Sequence, residues 1–131
     1  MSNKTSFAGG ERLVLIVDDE EGAREALREV VEMVGCSAIL ATNGAEALEL
    51  IAEHRPCLMI LDLVMPVMTG VQVLDALRRD PTLSGLSVVV STSAPSRAPP
   101  GVPVLAKPID IAAMWACLRR SCSCTPHTFG T

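Results

Sequence analysis

Two apolar runs, each delivering acids at its end, constrain this chain most. Leu13-Val-Leu-Ile-Val17 leads into Asp18-Asp19-Glu20-Glu21, and Leu58-Met-Ile-Leu61 leads into Asp62. A run without polar side chains on either alternation reads as a strand buried on both faces, the condition of strands in a parallel sheet. Pro66 and Gly70 mark a loop after the second run, which places Asp62 at a strand's carboxyl end. In open α/β sheets ligands bind outside that edge, so an acid there is a candidate for chemistry. Taken singly, Asp62 reads more readily as a turn aspartate. The first run tips the balance, because it carries Asp18 and Asp19 to the same kind of edge.

The intervening segments have helical periodicity. From Glu21 to Val34, Ala23, Leu27, Val30, Val31 and Val34 recur on one face, with Glu25, Arg28, Glu29 and Glu32 opposite, and Gly35 ends the helix. Residues 37–41 form a second strand, and Asn43 caps a helix over 44–54 that turns Ala47, Leu48 and Ile51 inward. A third helix is expected over 71–79, a fourth strand over 86–91, a fifth over 102–106 and a last helix over 109–120. Alternating strands and helices imply a parallel sheet with right-handed crossovers and helices on both faces. The segment 94–103 breaks the rhythm: Pro95, Pro99, Pro100 and Pro103 rule out a helix, and an extended, polyproline-like loop is expected there.

With 131 residues the chain makes one domain with a single core, and 2% aromatic residues make that core aliphatic. The net charge is -4 and the eleven Lys and Arg are scattered, so no nucleic-acid footprint is present. No run reaches the roughly 20 apolar residues of a membrane span, and residues 1–10 lack a signal-peptide core; a soluble cytoplasmic protein is expected. Residues 1–11 read as a disordered leader and 121–131 as a disordered tail, whose Cys122, Cys124 and His127 match no standard zinc spacing. Five cysteines without a CxxC pair, among them Cys36, Cys57 and Cys117 at core or element-edge positions, read as buried free thiols.

Over residues 12–120 the motifs together resemble the receiver domains of two-component response regulators. They are Asp18-Asp19 after the first strand, Asp62 with Met65-Pro66 and Gly70 after the third, Ser93-Ala94 after the fourth and Lys107-Pro108 after the fifth. The resemblance implies a flavodoxin-like, doubly wound five-stranded sheet of order 2-1-3-4-5, here with the family's fourth helix replaced by the Pro-rich loop. It implies that Asp62 accepts a phosphoryl group from a histidine kinase or histidine phosphotransfer protein. It also implies that Asp18, Asp19, Asp62 and the Val64 carbonyl hold Mg²⁺, Asp18 through water, and that Lys107 and Ser93 address the phosphoryl oxygens.

The chemistry follows from the residue types. Two unit charges 4 Å apart cost about 4 kcal/mol at an effective dielectric of 20, so clustered carboxylates call for a cation. Mg²⁺ commonly joins one or two carboxylates to a phosphate. Singly, Lys107 reads as a surface lysine and Ser93 as a strand-end cap; the joint spacing outweighs both. Ser91-Thr92-Ser93 offers three neighbouring hydroxyls, so the register is open by one or two residues. Val104 stands where many receivers carry Tyr or Phe, which removes the usual aromatic switch.

With about a dozen residues after the last helix, a single-domain response regulator is expected, acting on an unknown downstream protein or in a phosphorelay. It would be no enzyme beyond self-phosphorylation and self-dephosphorylation. A degenerate receiver serving as a phosphorylation-independent scaffold is the alternative, against which the intact Asp18, Asp19, Asp62 and Lys107 speak. An aspartyl-phosphate phosphatase would want an acid at Val64. A flavodoxin would want a Ser/Thr/Gly-rich phosphate loop where Asp18 to Glu21 stand.

Overall fold

The computed structural model describes residues 13–121 except Pro66 and Ser84. The expected leader, and the expected tail with Cys122, Cys124 and His127, lie outside the described residues. Five strands alternate with helices: β1 (Leu13–Val17), α1 (Glu21–Met33), β2 (Ser37–Ala41), α2 (Gly44–His54), β3 (Leu58–Asp62), α3 (Gly70–Arg78), β4 (Ser87–Thr92), β5 (Val104–Ala106) and α4 (Ile111–Ser121). The sheet is wholly parallel, in the order β2-β1-β3-β4-β5. This is the expected doubly wound, flavodoxin-like arrangement.

Strand alternation sorts the aliphatic side chains onto two faces. Val14, Ile16, Leu58, Ile60, Val89 and Leu105 pack under α1 and α4, against Leu27, Val31, Met114 and Leu118. Leu15, Val17, Met59, Leu61 and Val90 pack under α2 and α3, against Ala47, Ile51, Val73 and Leu74. Each such side chain contributes roughly 1.5–3 kcal/mol on burial, against about 1 kcal/mol for a helix cap. The two buried faces therefore carry the stability, and the caps set where helices begin. The Asn43 side chain accepts from the Glu46 amide at 2.9 Å. Thr69 and Gln72 form a capping box, which starts α3 at Gly70, one residue earlier than its periodicity suggested.

The crossover from β4 to β5 carries no α-helix, as its prolines foretell. It is not wholly extended, however: Pro95–Arg97 makes one 3-10 turn, closed by the Arg97 amide on the Ala94 carbonyl at 2.9 Å. Proline's fixed φ suits the first position of such a turn, where no amide donor is required. Ala98 and Val102 of this loop pack beside the α2 and α3 face. β4 runs one residue further than expected, through Thr92, and β5 begins at Val104 rather than Val102.

Cys36 and Cys57 stand one place before β2 and β3 on the amino edge of the sheet, either side of β1. Both are disulfide-bonded, which overturns the expectation of free thiols for these two. Cys117 is buried and free. Among the described residues no helix is long and apolar enough to cross a membrane.

Gly70 is the tightest point between helix and sheet. A Cβ there would stand 2.6 Å from the Asp62 carbonyl oxygen and 2.8 Å from the Leu63 Cα, both backbone atoms that cannot swing away. Gly22 in α1 has open space. Gly70→Ala should therefore lower stability by about 1–3 kcal/mol, while Gly22→Ala should be neutral or stabilising by up to about 1 kcal/mol. Urea midpoints of the two variants check this, and a neutral Gly70→Ala would show that the close approach constrains nothing.

Candidate functional site

The carboxyl edge of the sheet brings together the ends of β1, β3, β4 and β5. Val17 and Leu61 are register partners, so Asp18 and Asp62 follow side by side on neighbouring strands. One carboxylate oxygen from each of Asp18, Asp19 and Asp62 lies within 4.8 Å of the others. Asp18 is 1% exposed and Asp62 7%, whereas Asp19 is open to solvent.

Each acid is held by its own local structure. The Asp18 amide donates to the Ala41 carbonyl at 3.1 Å, which continues the β1 to β2 ladder past the strand end. Its Oδ1 accepts from the Glu20 amide at 3.0 Å, and its backbone carbonyl accepts from the Arg24 guanidinium at 2.8 Å. Asp62 Oδ1 accepts from the Val64 amide at 3.4 Å. The Gly70 amide donates to the Leu63 carbonyl at 2.9 Å, fastening the loop after β3 to the start of α3.

Lys107 supplies the cation. Its amide donates to the Thr92 carbonyl at 2.8 Å at the end of β4. From there Nζ reaches Asp18 Oδ2 at 2.9 Å and Asp62 Oδ1 at 3.7 Å. Three carboxylates facing one ammonium leave two negative charges uncompensated, and all the donors are hard oxygens. That donor set fits a divalent cation of the Mg²⁺ type.

The electrostatics express the same imbalance. Burial, then the charge of Asp18, push the Asp62 carboxyl up from 3.8 to about 6, against the opposing pull of Lys107. Burial alone would lower the Lys107 ammonium, but its hydrogen bond to Asp18 and the charges of Asp18 and Asp62 outweigh this and raise it. The lysine is therefore fully charged at neutral pH.

Asp18, Asp19, Asp62 and Lys107 are thus brought together. Val64 follows in the loop, its amide on Asp62 and its side chain exposed. Ser93 sits one residue beyond β4 and is exposed. Thr92 ends the strand, 2% exposed, and its Oγ1 accepts from the Ala94 amide at 3.0 Å. The expected pairing of β4 stopped at Ser91, and the ladder's extra residue is what brings Thr92 to the edge. Arg24 and Gly70 also shape the site. The proximity of Gly70 to Asp62 had no signal beyond the glycine itself, and Arg24 reads from sequence as an ordinary polar helix residue.

A doubly wound sheet whose carboxyl edge gathers acids and a lysine at the switch between β1 and β3 defines a class of α/β domain with a ligand-binding crevice at that edge. Within that class, the family described as the response regulator receiver domain matches residues 14–116, and the chain belongs to it. Response regulator MprA of Mycobacterium sp. (strain KMS) is 41% identical over 80 residues, covering 61% of this chain and 34% of that protein. The polar-differentiation response regulator DivK of Brucella anthropi is 36% identical over 80 residues, covering 61% of this chain and 65% of that protein. The chain thus spans about a third of the length of the MprA relatives. The chemotaxis response regulator CheY4 of Vibrio cholerae superposes with a TM-score of 0.75 at 26% identity, over 83% of this chain and 97% of that one.

The raised Asp62 gives a pH signature in metal-free buffer. A carboxyl that holds its proton more tightly when folded destabilises the fold on ionising. Its stabilising contribution is complete below the ordinary value near 3.8 and is lost as pH rises through about 6. With EDTA present, the melting temperature should fall from about pH 5 to about pH 7, and Asp62→Asn should flatten that fall and melt higher at neutral pH. Equal slopes in the two proteins would show that Asp62 is not the strained group.

Proposed function

We propose that Asp62 accepts a phosphoryl group from a histidine kinase or histidine phosphotransfer protein, and that the chain signals by binding a protein target or by passing that group on. The observation that carries this reading is Lys107, an ammonium 3.7 Å from the Asp62 carboxylate beside two further acids. An Asp62 oxygen attacks the donor's phosphorus, the bond from phosphorus to the donor's histidine nitrogen breaks, and the product is an aspartyl phosphate. Transfer asks chiefly for positive charge around three equatorial oxygens. Lys107 turns its ammonium from Asp62 toward them. Asp18, Asp19, Asp62 and the Val64 carbonyl would hold Mg²⁺, which when bound adds a further positive charge to those oxygens.

The hydroxyl addressing the phosphoryl group comes from the end of β4. Ser93 was expected there, and we assign the role to Thr92 instead, since the ladder ends on Thr92 and leaves Ser93 outside it, exposed. Output takes an unusual course in this reading. Val104 offers no ring to follow the hydroxyl, and the 94–103 loop offers no fourth helix to move, so that loop itself carries the change. A cytoplasmic site of action goes with a kinase partner. Turnover beyond self-phosphorylation and self-dephosphorylation is not part of the reading.

Incubation with Mg²⁺ and acetyl phosphate should add one phosphoryl mass, and Asp62→Asn should abolish the gain. Thr92→Ala should slow labelling or alter the lifetime of the product, and Ser93→Ala should do neither. Labelling of Asp62→Asn, or undiminished labelling in EDTA, would overturn the acceptor; the reverse ranking of the two hydroxyl variants would return the role to Ser93.

Mg²⁺ should also raise the melting temperature, by a term worth about 2.7 kcal/mol at 100-fold excess over the dissociation constant. Asp19→Ala should lose that gain and be the more stable of the two in EDTA. A wild-type response to Mg²⁺ in Asp19→Ala would remove Asp19 from the ligand set.

A further inference from the structure

One side chain in the row across this edge has no task in phosphoryl transfer as described so far. Ser91 is the register partner of Asp62. It is 1% exposed, and its Oγ has no hydrogen-bond partner among the described residues. Buried hydroxyls are rarely left so, because an unmet donor loses its water without replacement.

Alternation decides which way Ser91 faces. Ile16, Ile60 and Val89 lie in the cluster under α1 and α4, and two places on from each stand Asp18, Asp62 and Ser91, on the same face. Leu105 shares that cluster, and two places on is Lys107, whose ammonium reaches Asp62 and Asp18. Since β4 lies between β3 and β5, the Lys107 side chain crosses the strand that carries Ser91. Thr92 follows Val90 to the other face, and its oxygen is engaged by the Ala94 amide. Ser91 is therefore a second hydroxyl, separate from the one at the strand end.

We propose that Ser91 is a positioning residue for the acceptor: its hydroxyl donates to the Asp62 carboxylate oxygen that does not take the phosphoryl group. A turn about its Cα–Cβ bond aims the hydroxyl across one strand spacing, about 4.8 Å. The bond fixes the carboxylate so that its other oxygen meets the incoming phosphorus, and afterwards it holds the carbonyl oxygen of the acyl phosphate. No atom passes to or from Ser91. The proposal rests on Asp62 being the acceptor.

Initial rates of mass gain with acetyl phosphate, over a range of donor concentrations at saturating Mg²⁺, test it in wild type, Ser91→Ala, Ser91→Thr and Asp62→Asn. Ser91→Ala should keep the wild-type half-saturating donor concentration and Mg²⁺ affinity, melt no lower than wild type, and lose about tenfold in limiting rate, as expected for one hydrogen bond to a charged group. Ser91→Thr, which keeps the hydroxyl, should stay within about threefold of wild type. A wild-type limiting rate in Ser91→Ala overturns the proposal, and so does an equal loss in the Ala and Thr variants, which would mark a packing role. Should Ser91→Ala fail to fold, Ser91→Cys takes its place with the same expectation. An unlabelled wild type would instead remove the acceptor assignment itself, a result distinguishable from failure of Ser91 alone.

Discussion

The contact on which the site depends is the Lys107 ammonium against the buried Asp18 carboxylate. It joins residues 89 apart in the chain and ties the end of β5 to the end of β1, over the two strands between them. Asp18 is almost wholly enclosed, and a buried charge that loses its ion-pair partner costs about 3–5 kcal/mol. The pair thus fixes the lysine where its second neighbour is Asp62. The ammonium that pairs with Asp18 is the same one that phosphoryl oxygens would draw on, so the site holds its cation ready on a half-buried side chain.

The remaining architecture serves that convergence. Two aliphatic layers pack the sheet on both faces, the capping box at Thr69 starts α3, and Gly70 permits the near contact of helix and strand end. The loop from β4 to β5 is the exception. Where the other crossovers each lay a helix on the sheet, this one lays a single 3-10 turn and two small apolar side chains, and Val104 is left 37% exposed. The side of the site that carries Asp18 and Asp62 is backed by helices on both faces of the sheet, and the side facing the loop is thinly covered.

Much of this was legible in the sequence, for physical reasons. Strands buried on both faces cannot carry polar residues, so β1 and β3 announced themselves and pointed to Asp18, Asp19 and Asp62. Four prolines forbade a helix between β4 and β5. Three adjacent hydroxyls, by contrast, differ only in how far β4 pairs with its neighbours, and pairing length is settled by partners elsewhere in the chain. Hence the register was open by one or two residues, and β4 takes in Ser91 and Thr92 and stops short of Ser93. The bonded state of Cys36 and Cys57 was illegible for a similar reason: the position of a cysteine in the chain carries no record of what the fold brings beside it.

The shortness of β5 has a consequence for association between molecules. It is an edge strand, and exposed edges invite pairing with another chain. Its bonds to β4 run through the Pro103 carbonyl and the Lys107 amide, so by alternation Val104 and Ala106 point their amides outward, and the next outward position is Pro108, which has none. An incoming strand would find two donors and then a proline ring. The Lys107-Pro108 dipeptide thus combines two opposite tasks in neighbouring residues, one reaching inward to the acids and the other closing the sheet to strangers.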